Sequence, residues 1–284
     1  MNTNSKIKKL AAYAAAIALT LAPMCKAHAE SDDFGIWSSI EAKKKLTDKL
    51  SFSIEGELRT ISGVQEIDRR ALGLSMSYKV LDWLKADLGY IYIQSFNATE
   101  KKLKEIAGPD ANGNELWNYN VDHSYWEERD RLYAQLTASW KIGRIKFSLR
   151  ERLQYQYTHS ALIYEDKYRY ELTDINDPNA YFTPKDEFPE SSPEIKDSKH
   201  NTVLRSRLTA KWDIRKCKIE PFASVELFTR TDEWRGHDKL RYRIGADYKI
   251  DKKNDITLYY MFQDNHSSDN PAGHAIGIGY TFEL

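Results

Sequence analysis

The chain has 284 residues and balances 42 Lys and Arg against 42 Asp and Glu, so zero net charge gives no argument for a nucleic-acid partner. A mean hydropathy of −0.65 with 30% charged residues excludes a bundle of transmembrane helices, because beyond the first thirty residues nothing approaches the roughly 18 consecutive apolar residues such a helix needs. It does not exclude a membrane barrel, in which polar residues facing the lumen dilute the apolar residues facing lipid.

In chain order, residues 1–29 read as a signal peptide that is removed. Lys6, Lys8 and Lys9 precede an apolar run from Leu10 to Leu21, and Ala27-His28-Ala29 supplies small residues for cleavage before Glu30. Cys217 is then the one remaining cysteine, which rules out an internal disulfide.

From there apolar and polar residues alternate with period two. Leu50, Phe52, Ile54 and Leu58 alternate with Ser51, Ser53, Glu55, Glu57 and Arg59; Leu72, Leu74, Met76 and Tyr78 alternate with Ala71, Gly73, Ser75 and Ser77. Similar runs cover about 34–44, 84–97, 129–142, 145–157, 202–214, 219–230, 239–250, 255–264 and 272–284. The links are short near 45–49, 81–83, 143, 215–218 and 251–254, and longer at 62–68, 98–128, 158–201, 231–238 and 265–271. Tyr78, Trp140, Trp212 and Tyr248 fall on the apolar phase beside short links, and Tyr92, Phe96, Tyr155, Tyr157, Tyr260 and Phe262 on that phase toward long ones. Two aromatic rings at opposite strand ends read as interfacial girdles.

The fold predicted for residues 30–284 is all-β: a transmembrane antiparallel up-and-down barrel of about 10–12 strands, with short periplasmic turns and long extracellular loops at about 98–128 and 158–201. Eleven runs is an odd number, and bacterial single-chain barrels have even counts. Either a strand within 115–121 or 161–172 completes the wall, or the first run lies outside it. The closing run, His274 to Leu284, has the form of the strand by which barrels are recognised for insertion, so the expected partners are the barrel-assembly machinery, outer-membrane lipids and lipopolysaccharide. Glu151 is an acid on the apolar phase between Leu149 and Leu153, most simply read as a register slip.

Five segments carry a resemblance: Asp33-Phe34-Gly35-Ile36-Trp37, LSFSIEGELR at 50–59, RDRLY at 129–133, LRYRIGADYK at 240–249 and GIGY at 277–280. Together they are similar to the bacterial barrel family catalogued as domain of unknown function 2490, over nearly the whole mature chain. The resemblance implies the outer membrane of a Gram-negative, Bacteroidetes-type bacterium. It implies no activity, so no functional residue carries over.

The polar phase is rich in arginine pairs two residues apart: Arg129 and Arg131, Arg150 and Arg152, Arg205 and Arg207, Arg241 and Arg243. With Arg59 and Arg69 they face Glu55, Glu57, Asp87, Glu226 and Asp247. Such a charge ladder either lines a pore that favours anions or cross-links the interior through bidentate Arg–carboxylate pairs. The leading function is a narrow passive channel for small polar or anionic solutes; the alternatives are a closed barrel with a structural or surface-interaction role and a rim enzyme. For the enzyme, His266 and Ser268 have the spacing of outer-membrane lipid and lipopolysaccharide hydrolases, with serine as nucleophile and histidine as base. These are also ordinary loop residues, so the chain is read as no enzyme. The histidines at 123, 159, 200, 237, 266 and 274 show no ligand-like spacing on one element, and no metal or cofactor is expected.

Overall fold

The computed structural model describes residues 33–61, 66–174, 180–185, 189–231, 237–265 and 273–284. The leader assigned to residues 1–29 lies outside them, as do His266 and Ser268.

Eleven strands close into a barrel among the described residues. They are β1 (Asp33–Lys45), β2 (Leu50–Ile61), β3 (Glu66–Leu81), β4 (Leu84–Asn97), β7 (Tyr125–Ile142), β8 (Ile145–Thr158), β13 (Lys199–Trp212), β14 (Ile219–Arg230), β15 (His237–Lys249), β16 (Asn254–Asn265) and β17 (Gly273–Glu283). Neighbours are antiparallel except at the closure. There β1 runs parallel to β17, from Asp33 opposite Gly273 to Lys43 opposite Glu283. The parity problem resolves at that seam: an odd count closes without an extra strand because first and last strands point the same way. The wall is therefore not antiparallel throughout.

The two segments considered as extra wall strands do form strands, but elsewhere. β6 (Glu115–Asp122) and β9 (Ala161–Tyr168) join β5 (Glu100–Pro109) and β12 (Glu190–Lys196) in a four-stranded sheet at the loop end. β10 (Tyr170–Leu172) and β11 (Phe182–Pro184) pair separately. The long links are thus largely folded. Backbone groups that leave the wall find partners in this sheet instead of in water.

Burial is inverted relative to a soluble sheet. Leu72, Leu132, Leu149, Ile244 and Leu258 are exposed on the outer face, while Ser53, Asp87, Arg205, Glu226 and Arg241 are buried. An outer face this apolar is stable only against hydrocarbon or another apolar surface. Tyr78, Trp140, Trp212 and Tyr248 are exposed on that face near the short turns. Those turns carry their own signals. Gly143 sits at φ 59°, the left-handed conformation a tight hairpin requires. Asp251 accepts from the Lys253 amide at 2.8 Å between β15 and β16.

The register is unbroken at Glu151, which pairs with Ser206 and accepts its hydroxyl at 2.6 Å on the outer face. The slip expected from sequence is not there; the acid does face outward.

Candidate functional site: the arginine-lined lumen

Two rows of side chains run around one half of the inner wall. In the first, Arg150, Arg207, Glu226, Arg241 and Gln263 stand opposite one another on β8, β13, β14, β15 and β16. In the second, Gln135, Arg152, Arg205, Phe228 and Lys239 do the same from β7 to β15. Like charges directly opposite on neighbouring strands repel, so Arg150 beside Arg207 and Arg152 beside Arg205 require compensation nearby. Glu226 supplies it in the first row. Only 1% exposed, it contacts Arg150, lies 2.9 Å from both Arg205 and Arg207, and has Arg241 at 3.7 Å and Arg243 at 4.0 Å. One carboxylate holds five guanidinium groups. In the second row Phe228 presents its ring to Arg205 at 4.5 Å and to Arg241 at 4.8 Å, a cation–π contact that orders cations without neutralising them.

A second knot forms on the other side of the barrel. Glu57 is 2.9 Å from Arg59 and 3.2 Å from Arg69, which stand opposite each other on β2 and β3. Trp37 of β1 carries Arg59 on its ring at 3.6 Å and Arg241 at 4.9 Å, and so ties the two knots together. Arg129 pairs with Glu127, and Arg131 donates to Gln156 at 2.6 Å. Glu55 faces Glu41, Glu57 and Arg152.

Between these walls lies a cavity of about 700 Å³. Ten arginines and Lys239 line it, against the carboxylates of Glu41, Glu55, Glu57 and Asp68. Asp87 and Asp247 do not line it. Asp87 accepts from Gln135 at 2.6 Å and pairs with Lys85 at 3.0 Å; Asp247 pairs with Lys211 and accepts from Thr257 at 2.7 Å. Of the fifteen charged residues named from sequence, twelve line this cavity, and Glu226 contacts the arginines that do. The lumen aromatics Trp37, Tyr133, Phe228 and Tyr259 were missed. Their signal was available: each is a large ring on the polar phase of its strand.

Other candidates gather no comparable site. His123 and His159 each face one acid, Asp166 at 2.8 Å and Asp130 at 2.7 Å. Among the described residues Asp122, Glu165 and Glu194 of the loop-end sheet could jointly offer oxygen ligands. Lys102 and Lys196 already meet Asp122 at 2.6 and 3.1 Å. Burial pushes the Asp122 carboxyl up, but hydrogen bonds from those two lysines outweigh it and leave the group below its ordinary value.

A family model described as protein of unknown function (DUF2490) matches residues 34–273. No curated protein matches the sequence. Among solved structures, the β domain of the Bordetella autotransporter BrkA aligns at 11% identity and a TM-score of 0.45, over 84% of this chain and 85% of that one. The translocator domain of autotransporter NalP from Neisseria meningitidis aligns at 12% identity and 0.32, over 98% of each chain. At those scores neither likeness bears on function; the barrel rests on its own strand pairing.

Proposed function

The chain belongs to the DUF2490 family of proteins of unknown function, and we propose that it is a narrow passive channel in the outer membrane of a Gram-negative bacterium, taking small polar and above all anionic solutes. The location is supported by the apolar outer face, the aromatic residues near its turn end and the signal-peptide pattern of residues 1–29. In this reading the strand turns are periplasmic, the loop-end sheet is extracellular, and β17 carries the insertion signal read by the barrel-assembly machinery.

The observation that carries the function is the surplus of guanidinium groups around the lumen cavity. Fixed positive charge in a confined, partly desolvated passage lowers the barrier for anions and raises it for cations. The test is planar-bilayer recording of the pure protein across a potassium chloride gradient. The reversal potential should lie toward the chloride equilibrium value, and it should move toward zero when Arg241→Gln and Arg243→Gln are combined. A silent membrane overturns the channel. It would favour the closed-barrel reading, which the ion pairs around Glu226 and Glu57 support.

A further inference from the structure

We infer that the lumen holds a discrete binding site for a sugar-sized oxyanion, a carboxylated or phosphorylated saccharide, with Arg131 at its centre. The inference rests on the lumen being open to solutes, as proposed above, and not on ion conduction.

The argument begins with charge that the protein does not satisfy. Glu226 and Glu57 each gather the guanidiniums nearest to them. Arg131 of β7 falls between the two knots: the charges acting on it are Arg69, Arg205 and Arg59, with Glu57 the one carboxylate among the strongest. Its guanidinium donates to Gln156, an uncharged amide, and its Nε is buried without a hydrogen-bond partner among the described residues. The Nε atoms of Arg59 and Arg243 are in the same condition. Buried donors left unmade cost free energy, and three like charges converging on a fourth cost more. A bound anion in the cavity offsets that repulsion.

The geometry selects the kind of anion. The cations are nearly all guanidiniums, planar forks that match carboxylate and phosphate oxygens two at a time. Trp37 holds two of those planes, Arg59 and Arg241, on one indole, which fixes them in place before any ligand arrives. A lone halide uses none of this directional character. The space also exceeds what a simple ion fills. About 700 Å³ lies within the roughly 300–1,000 Å³ of small-molecule sites. The amide side chains of Gln154, Gln156, Asn201 and Gln263 lining the same cavity offer donors and acceptors suited to hydroxyl groups.

The test is isothermal titration of the full, refolded barrel in detergent at constant ionic strength, with glucuronate, glucose 6-phosphate, inorganic phosphate and glucose as separate probes. The two sugar oxyanions should bind saturably, inorganic phosphate more weakly and glucose not at all. Arg131→Gln should weaken binding about ten-fold or more, with Arg131→Lys intermediate because it keeps the charge and loses the fork. Glu57→Gln should strengthen binding, since it frees two guanidiniums; a purely structural arginine cluster predicts no gain. No saturable binding of either sugar oxyanion overturns the site. So does binding that neither Arg131→Lys nor Glu57→Gln alters, and phosphate binding as tightly as glucose 6-phosphate overturns the sugar assignment. A barrel that binds but does not conduct refutes the channel and leaves the site standing.

Discussion

Replacing Glu226 by Gln isolates the central electrostatic feature of the barrel. The carboxylate is 1% exposed and lies within 4.0 Å of five guanidiniums. Removing one partner of a buried ion pair costs about 3–5 kcal/mol, chiefly because the surviving charge is left uncompensated. Here several charges survive, and Arg150 stands opposite Arg207. Two unit charges 4 Å apart at an effective dielectric of 20 repel by about 4 kcal/mol. Chloride entering the cavity offsets part of this, so the expected loss is about 3 kcal/mol in high chloride and nearer 5 kcal/mol at low ionic strength. The assay is urea unfolding of the protein in phospholipid vesicles, followed by tryptophan fluorescence at both salt concentrations. Glu55→Gln is the control: Glu55 faces Glu41 and Glu57 as well as Arg152, so losing its charge removes two repulsions against one attraction and leaves stability unchanged or slightly raised. A Glu226→Gln loss below about 0.5 kcal/mol, the range of an ordinary surface substitution, would refute the hub.

Asp122 gives a pH effect confined to the loop-end sheet. Its folded carboxyl lies below its ordinary value, so the stability it contributes is present above the unfolded value of about 3.9 and is lost as pH falls through the folded one. Amides of β5, β6, β9 and β12 should lose hydrogen-exchange protection in acid before those of the wall, and Asp122→Asn should reproduce the loss at neutral pH; uniform loss across the molecule contradicts it. A Cβ at Gly35 would meet the Thr60 carbonyl oxygen at 2.0 Å, whereas one at Gly56 meets nothing within 4 Å. Gly35→Ala should therefore cost about 1–3 kcal/mol and lower the temperature at which the folded band is lost on a gel, with Gly56→Ala unchanged; equal behaviour of the two denies the close approach of β1 to β2. Glu151 faces outward in mid-wall, where an acid bordering lipid is unfavourable, so Glu151→Leu should stabilise the barrel in vesicles by about 1 kcal/mol. Destabilisation would mean that the hydrogen bond from Ser206 outweighs the cost of holding the acid against lipid.

What the sequence made legible was local and periodic. Side-chain phase along a strand repeats every two residues whatever the neighbours, so Arg205, Arg207, Arg241 and Arg243 could be assigned to the lumen from their own segments. The same regularity yielded the eleven runs that form the wall, although the even-count rule argued for ten or twelve strands. Features that depend on how strands are staggered were not legible. Glu226 looked like any of five lumen acids, because its central position requires Arg150, 76 residues away in the chain, to arrive opposite Arg207. The parallel seam escaped for another reason: alternation fixes a strand's faces and not its neighbour, so nothing in residues 34–44 announced pairing with β17. The segments at 115–121 and 161–172 showed strand character, yet their place in sheets separate from the wall follows from contacts between and within two long links.

The lumen itself argues that its arginines are more than filling. A small barrel must satisfy a polar interior, and one-to-one ion pairs suffice for that. Toward the turns this chain uses that solution: Lys85 with Asp87, Lys211 with Asp247, Lys249 with Glu220, and Lys45 with Glu283. In each of these four pairs the cation is a lysine with its own carboxylate. Around the cavity the pattern changes in both respects: lysine gives way to arginine, and carboxylates fall well short of the cations. Structural need is the same at both levels, so it does not explain the difference between them. An anion drawn from solution does, because it supplies the missing negative charge only where there is room to admit it. That places a surplus at the cavity, where ten arginines and Lys239 face four carboxylates.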